Sequence, residues 1–302
     1  MQEINSIIKK SLSILPTNIL DVSFLGGMTN KNYLAKVIIN NEPDEIVVRI
    51  PGAMTQCLIS RKNEAVNSSI TSQYKFNVDT YFFDDKSGIK ITKFLKDSKT
   101  LDHTTIRDND NLIKVSKRLK ELHSSNIKFN NEFNVFREYD EYLKLLKNKE
   151  IFFNFYEFMP KILSFFDKIR KYFEINIPNL SPCHNDLVPE NILFKEQFYF
   201  IDWEYSGMND LYFDLAAFLL ESGIDEEQQK LFLHNYFEKE DISFEENIIK
   251  LYQFSQDVLW TLWTFIKQEN NEIFEGYAEK RIKSAVKTMH ELEKIGFLNN
   301  VS

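Results

Sequence analysis

The spacing of hydrophobic residues changes along the chain and predicts a strand-rich first third followed by a mostly helical remainder. Ile4, Ile7, Ile8 and Leu12 recur at helical spacing and predict an N-terminal helix that ends before Pro16. Short runs rich in β-branched and aromatic residues then predict five strands, over residues 22–25, 33–39, 45–50, 81–83 and 89–94. Residues 60–72 have helical character, and turns are predicted at residues 26–27, 40–43 and 84–88.

Beyond residue 95 the strand pattern nearly disappears and the helical period takes over. Leu112, Val115, Leu119 and Leu122 mark the apolar face of one helix, and further helices are predicted over residues 156–173, 226–237, 245–268 and 272–295. We therefore predict two lobes, a strand-rich N-lobe over residues 1–95 and a larger, mostly helical C-lobe over residues 96–302. The C-lobe includes one return to strands, a predicted hairpin over residues 191–194 and 198–201.

Composition and charge narrow the classes of function. The 302 residues carry a net charge of −8 without a long basic tract, so nucleic acid and anionic membrane surfaces are not expected partners. Two cysteines are too few for a disulfide framework and suit a reducing cytoplasm. The N-terminus lacks the apolar stretch of a signal peptide, and no run approaches the length of a membrane span. We expect a cytoplasmic enzyme or binding protein whose oligomeric state the sequence leaves open.

Polar residues around the predicted hairpin form the strongest chemical signal in the chain. Asp186 and Asn191 precede its first strand, and Asp202 ends its second. An aspartate, an asparagine five positions later and an aspartate after a returning strand resemble the loop pattern of kinase-type phosphoryl transfer. That reaction needs an oriented acceptor hydroxyl and neutralised charge, and little else from the protein. We therefore predict that Asp186 is the catalytic base and that Asn191 and Asp202 bind Mg²⁺ through hard oxygen atoms. Each residue alone could be a turn residue or a strand-end cap, but the ordered set favours function.

This ordered set resembles the catalytic loop of the eukaryotic-type protein kinase fold, in its small-molecule branch. The resemblance implies a bilobal α+β fold with an antiparallel sheet in the small N-lobe, which binds ATP, and the catalytic loop in the helical C-lobe. His184 precedes the base as in protein kinases, but Asn185 stands where they carry an arginine that serves activation-loop phosphate. The departure points away from an enzyme gated by phosphorylation.

The nucleotide-binding residues are predicted from their positions within this pattern. Gly26 and Gly27 lie between two strands, where backbone amides could approach phosphate, and Thr29 and Asn30 could add polar contacts. A tight hairpin turn is the alternative explanation of the two glycines.

In the kinase pattern the third strand carries a lysine that contacts phosphate and pairs with a glutamate on the next helix. Here Arg49 takes that position, with Glu64 as its predicted partner, although either residue could be an exposed surface charge. Backbone groups of Phe94 and Leu95 are the predicted hinge to adenine. Asp214 is expected to cap a helix and brace the loops around the site.

Aromatic residues near the C-terminus suggest the acceptor. Trp260 and Trp263 lie on one helix face, either as core residues or as part of a cation-binding site. Tyr205 follows Asp202 by three positions, and Glu221 could neutralise a bound cation. Aromatic faces bind quaternary ammonium through cation–π attraction.

The run 201–206 and the tryptophan pair are similar to the choline/ethanolamine kinase family, and the similarity extends over residues 26–277. It implies a choline cage of Tyr205, Trp260, Trp263 and Tyr277, with Asp186 facing the choline hydroxyl. The predicted function is ATP- and Mg²⁺-dependent phosphorylation of choline. Ethanolamine or an aminoglycoside remains the alternative acceptor, and a pseudokinase that binds without turnover is the alternative of another class.

Overall fold

Helices and strands follow the predicted change from strands to helices. The computed structural model describes residues 2–27, 30–52 and 55–298. In chain order its helices and strands are α1 (Gln2–Leu12), β1 (Ile19–Gly26), β2 (Lys31–Ile39), β3 (Glu42–Ile50), α2 (Thr55–Leu58), α3 (Arg61–Gln73), β4 (Thr80–Phe83), β5 (Lys90–Lys93), β6 (Lys99–Thr100), α4 (Asn109–His123), α5 (Val135–Leu145), α6 (Lys149–Phe153), α7 (Met159–Ile175), β7 (Leu180–Cys183), β8 (Ile192–Phe194), β9 (Phe198–Phe200), β10 (Gly207–Asp210), α8 (Leu211–Ser222), α9 (Glu226–Phe237), α10 (Ser243–Glu269) and α11 (Tyr277–Ile295).

The first strands form an antiparallel sheet in the order β1-β2-β3-β5-β4. Ile4 and Ile8 of α1 belong to one buried cluster with apolar residues of β1, β2, β3 and β5, which explains the apolar spacing of α1. The turn between β2 and β3 is shorter than predicted, because Pro43 already pairs with Ile38 within the ladder. Only residues 40–41 form that turn, and both are asparagines at positive φ, a conformation that Asn tolerates better than most residues.

Residues 1–102 and 190–206 form one compact unit, and residues 103–189 and 207–302 form the other. This division differs from the predicted one, which placed the hairpin β8–β9 in the lobe that follows residue 95. The hairpin belongs to the first unit because Phe200 N–H donates to Phe76 O at 2.7 Å and Leu101 N–H donates to Ile192 O at 2.9 Å. Strand β6 completes a small sheet in the order β6-β8-β9.

The second unit is mostly helical and has α10 as its central helix. Most residues of this 27-residue helix are buried, and it packs against α5, α7, α8 and α11. Strand β7 pairs antiparallel with β10, from Cys183 opposite Gly207 to Leu180 opposite Asp210. This pairing fixes the loop that follows Cys183, where Asp186 lies. Among the described helices, none is both long enough and apolar enough to cross a membrane.

Candidate active site

In the first unit, Arg49 of β3 is the centre of a buried polar cluster. Its two terminal nitrogens bind the two carboxylate oxygens of Glu64 in α3, with Nη2 2.9 Å from Oε2. The same nitrogens donate to Asp202 Oδ1 at 3.2 Å and to Gly88 O at 3.1 Å. These four bonds use the four terminal N–H groups of Arg49 within the unit. The predicted pairing with Glu64 is therefore present, whereas the predicted contact with phosphate has no terminal N–H available in this arrangement.

Three further members of this charge cluster were not predicted from the sequence. Glu64 accepts hydrogen bonds from Arg61 Nη1 at 2.6 Å and from Lys90 Nζ at 3.0 Å. Arg61 Nη1 also donates to Glu204 Oε2 at 2.9 Å. Together with Arg49 and Asp202, the cluster holds three cations and three carboxylates, so its charges balance. Balance matters here because an unpaired buried charge is strongly destabilising.

The pKa values of the two buried carboxyl groups of the cluster shift in opposite directions. Burial by itself raises the pKa of Glu64, but the charges of Lys90 and Arg49 outweigh burial and hold that pKa well below its usual range. Burial and the neighbouring charge of Asp202 raise the pKa of Glu204 to about 6, although Arg49 opposes that shift. Glu64 is thus the permanent anion of the cluster.

Two glycines at the end of β1 have unusual backbone geometry. Gly26 and Gly27 have φ values of 111° and 134°, in the region that favours glycine. A side chain on Gly27 would place its Cβ 1.8 Å from Asn30 O, so the close turn requires glycine there. Asn30 is buried and donates to Glu204 Oε2 at 3.2 Å, which gives it an internal partner where a phosphate contact was predicted. Thr29 lies outside the described residues.

Asn191 and Asp202 are brought together by the hairpin, because Ile201 N–H donates to Asn191 O at 2.9 Å. Asp202 has a φ of 63°, which is uncommon for a residue other than glycine and is typical of functional sites. Its side chain is 29% exposed, whereas the carboxylates of Glu64 and Glu204 within 4.8 Å of it are almost fully buried. A partly exposed carboxylate beside an amide residue fits the oxygen ligands that Mg²⁺ prefers.

Tyr205 is half-buried and ends the short 3-10 turn Trp203–Tyr205 that follows Asp202. The turn belongs to the first unit, whereas the other predicted cage residues belong to the second.

The predicted hinge has most of its backbone polar groups engaged. Phe94 N–H donates to Glu45 O at 2.8 Å, and Phe94 O accepts from Lys96 N–H at 3.0 Å. Leu95 O accepts from Ser98 N–H at 3.0 Å. A carbonyl oxygen has two lone pairs, so Phe94 O and Leu95 O keep the capacity to accept a further bond. The Phe94 N–H is committed to β3.

In the second unit, Asp214 fixes the loop that carries Asp186. Its Oδ2 accepts from His184 N–H at 2.8 Å, and its Oδ1 accepts from Asn185 N–H at 2.6 Å. Asn185 has a φ of 66°, and its side chain accepts from Asn209 Nδ2 at 2.8 Å. The loop is therefore held on two sides immediately before Asp186.

Asp214 braces the loop as predicted, but it does not cap the helix. Asp210 is the N-cap of α8, where its side chain accepts from Tyr212 N–H at 3.1 Å, and Asp214 lies one turn further on. Asp214 also lies 3.1 Å from His123 Nε2, and His123 Nδ1 lies 2.6 Å from the Tyr236 hydroxyl. This fully buried chain of partners makes Asp214 a positioning residue for the loop.

Three of the four predicted cage aromatics cluster in the second unit. Trp260 and Trp263 are 9% and 6% exposed, and their ring centroids lie 6.3 Å apart at right angles. Tyr277 lies 6.3 Å from Trp263 in an edge arrangement, and Phe274 packs beside Trp263 at 5.1 Å. The ammonium of Lys267 lies 5.5 Å from the Trp263 ring centroid, so one cation–π contact of this ring is made within the protein.

Glu221 has a different partner from the one predicted. Instead of an open carboxylate, it forms an ion pair with Arg281 of α11, whose guanidinium also donates to Asp257 Oδ1 at 3.2 Å.

Burial raises the pKa of Tyr277 to about 12, and the charges of Glu221 and Asp186 add to that shift while Arg281 opposes it. Asp186, the predicted base, lies in the same unit as Tyr277 and is among the charges that act on its hydroxyl.

Comparison with known proteins decides the family. The family model described as choline/ethanolamine kinase matches residues 22–286. The chain belongs to the choline/ethanolamine kinase family. It is 38% identical to the protein LicA of Haemophilus influenzae over 277 residues, which span 89% of this chain and 80% of that protein.

Solved structures of the choline/ethanolamine kinase family agree. The crystal structure of choline kinase LicA from Streptococcus pneumoniae has a TM-score of 0.82 and 32% identity, and the match covers 96% of this chain and 98% of that one. A structure of LicA in complex with AMP matches with a TM-score of 0.81, 32% identity and the same coverages. The predicted α+β kinase fold, with its antiparallel sheet and mostly helical remainder, is confirmed.

As a member of the choline/ethanolamine kinase family, the protein is a phosphotransferase whose acceptor is an alcohol group. Four residues that bond to the predicted site residues or to their partners were not predicted from the sequence: Arg61, Lys90, Glu204 and Arg281. Only part of this support could be read from spacing: Arg61 lies three positions before Glu64, and Arg281 lies four after Tyr277, which places each on its partner's helix face. Lys90 faces Arg49 across β3 and β5, a pairing that requires the strand order.

Proposed function

We propose that the protein transfers the γ-phosphoryl group of ATP to choline and yields phosphocholine and ADP. The observation that carries this proposal is the cluster of Trp260, Trp263 and Tyr277, in the same unit as the loop that carries Asp186. Aromatic faces attract a quaternary ammonium, which offers no hydrogen-bond donor. Membership of a family of alcohol phosphotransferases supplies the reaction class, and the likeness to choline kinase LicA supports the acceptor.

Asp186 is the proposed base. It orients the acceptor hydroxyl and takes its proton as the hydroxyl oxygen bonds to the γ-phosphorus and the bond from that phosphorus to ADP breaks. Asn185 and Asp214 hold the loop in the geometry described above, so the base is positioned before substrate arrives.

Asn191 and Asp202 are the proposed Mg²⁺ ligands. When bound, Mg²⁺ neutralises charge on the phosphate oxygens of ATP. Arg49 acts on this site through its bond to Asp202 Oδ1, since its terminal donors are engaged within the unit. Gly26 and Gly27 are the proposed phosphate loop, and Phe94 and Leu95 the proposed adenine hinge.

Trp260, Trp263 and Tyr277 of the second unit are the proposed choline cage, and Tyr205 of the first unit stays a prediction of the family resemblance. Each desolvated cation–π contact contributes up to about 2 kcal/mol. Ethanolamine is the alternative acceptor, because a primary ammonium also benefits from ring faces but needs hydrogen-bond acceptors in addition. An aminoglycoside carries several ammonium groups and suits a carboxylate-lined pocket better than an aromatic one.

We place this reaction in the cytoplasm, because Cys57 and Cys183 are free thiols and suit a reducing compartment. The acidic balance, with a net charge of −8, supports a small-molecule substrate over nucleic acid.

An acceptor screen tests the proposal. Purified protein with ATP and Mg²⁺ should consume ATP when choline is added and should not consume it when an aminoglycoside is added. The kcat/KM for choline should be higher than that for ethanolamine. Asp186→Asn should lower kcat about 100-fold or more and leave nucleotide binding intact. No turnover of choline at saturating Mg²⁺ would remove the proposed function, and an unchanged kcat in the variant would remove Asp186 from the mechanism.

A further inference from the structure

Arg281 joins three helices beside the aromatic cluster. It lies on α11 and is 5% exposed. Its Nη2 pairs with Glu221 of α8 and donates to the Tyr277 hydroxyl at 2.6 Å, and its Nη1 donates to Asp257 of α10 at 3.2 Å. The guanidinium carbon also lies 4.9 Å from the centroid of the Tyr277 ring.

These contacts engage two hydrogen-bond acceptors next to the proposed cage. Glu221 Oε1 and the Tyr277 hydroxyl oxygen both accept from Arg281, so an incoming primary ammonium would have to compete with the guanidinium for them. The other features of the proposed cage are its three aromatic rings, of which those of Trp263 and Tyr277 already face a cation of the protein. Ring faces attract positive charge without accepting conventional hydrogen bonds from it.

The consequence differs between the two candidate acceptors. A quaternary ammonium has no N–H group, so it loses nothing when the nearby acceptors are occupied. A primary ammonium brings three N–H donors, and leaving buried donors without partners is costly. Selectivity of this kind arises when one ligand is left with unsatisfied polar groups.

We propose that Arg281 sets the acceptor specificity of the enzyme. It donates hydrogen bonds to Glu221 and to the Tyr277 hydroxyl and thereby favours a quaternary over a primary ammonium. Arg281 is a positioning residue, since it acts through Glu221 and Tyr277 without contact with the transferred group. The inference rests on the proposed function and names the residue that would separate choline from ethanolamine.

Arg281→Met tests the role of the guanidinium. Methionine keeps an unbranched, apolar side chain on α11 but frees the Glu221 carboxylate. The ratio of kcat/KM for choline to kcat/KM for ethanolamine should fall about tenfold or more, which corresponds to about 1.4 kcal/mol. Lys283→Met is the matched control, since Lys283 is an exposed basic residue on the same helix, and its ratio should equal that of the wild type.

A second substitution keeps the test interpretable if Arg281→Met destabilises the fold. Glu221→Gln combined with Arg281→Met removes both charges, leaves no unpaired carboxylate at position 221, and should return the ratio toward the wild-type value. Arg281→Lys keeps the charge and should give a ratio between those of the wild type and Arg281→Met.

The outcomes separate the two levels of the proposal. If the wild type phosphorylates neither choline nor ethanolamine, the proposed function fails. If the wild type uses choline but Arg281→Met lowers kcat/KM for both acceptors equally, Arg281 has a structural role only and the inference is wrong. A ratio that falls in Arg281→Met and recovers in the double variant supports it.

Discussion

Glu64→Gln is expected to destabilise the first unit more than the same substitution destabilises the protein at an exposed glutamate. Glu64 is 1% exposed and accepts from Arg49, from Arg61 at 2.6 Å and from Lys90 at 3.0 Å. A glutamine keeps one acceptor oxygen but turns an NH₂ group toward the cations. The cluster would then hold three cations against the carboxylates of Asp202 and Glu204.

The expected loss follows from the burial of the cluster. Breaking a buried ion pair by removal of one partner costs about 3–5 kcal/mol, because the remaining charges are left uncompensated in a poorly solvated place. Glu64 compensates three cations, so we expect a value toward the upper end of that range. Catalytic efficiency toward ATP should also fall, since Arg49 links Glu64 to Asp202.

Urea unfolding followed by circular dichroism gives the free energy of unfolding of each variant. Glu141→Gln is the matched control, because Glu141 pairs with Lys144 at 2.7 Å on an exposed helix face. Hydrogen exchange of the β3 and α3 amides would locate the effect in the first unit. The control should be indistinguishable from the wild type.

The effect of Glu64 should also depend on pH. Because its folded pKa lies below the ordinary value of 4.5, Glu64 contributes its full stability above that pH and loses it as the pH falls through the folded pKa. The difference between the wild type and Glu64→Gln should therefore shrink below pH 4.5. A Glu64→Gln variant as stable as Glu141→Gln at pH 7 would refute the view that this cluster depends on charge balance.

Three further predictions concern the other groups. Gly27→Ala should raise the KM for ATP more than Gly26→Ala does, because an added Cβ meets Asn30 O at 1.8 Å only at position 27; equal effects would contradict this. Trp260→Ala should raise the KM for choline about 10–30-fold at unchanged KM for ATP, and loss of both activities with unfolding would show a core role instead. Burial raises the pKa of Asp257 to about 7 from 3.8, so its contribution to the free energy of unfolding is full below pH 3.8 and is lost as the pH rises through 7. Asp257→Asn should therefore reduce the fall in the free energy of unfolding between pH 4 and pH 8. An unchanged fall would be evidence against this role of Asp257.

Local patterns predicted most of the helices and strands, because the period of hydrophobic residues can be read from a single segment of the chain. The five-stranded sheet and the helices α4, α7, α9, α10 and α11 appear where those periods placed them, with ends that differ by a few residues. Helix α5 went unpredicted although its buried residues Val135, Phe136, Tyr139 and Tyr142 follow helical spacing, since aromatic and β-branched residues also suit strands. The placement of the hairpin β8–β9 depends on hydrogen bonds to residues 76 and 101, which no local period records.

Spacing also led to the prediction of Asp186, Asn191 and Asp202, because a catalytic loop places its polar residues at fixed intervals along one segment. Their supports come from distant segments. Lys90 reaches Glu64 because β5 pairs with β3, although β4 comes between them in the chain. Such partners are visible only when the strand order is known.

The role of a charged residue near a site depends on its partners. Arg49 in the first unit and Glu221 in the second are two examples. Both were expected to face a ligand, one a phosphate and the other an ammonium. The structure commits Arg49 to Glu64 and Asp202, and it commits Glu221 to Arg281. Charge reversal at Arg49 is therefore expected to displace Asp202, whereas charge reversal at Glu221 is expected to displace Arg281 from the Tyr277 hydroxyl. The first change would be seen as lost turnover with either acceptor, whereas the second would be seen as altered choice between them.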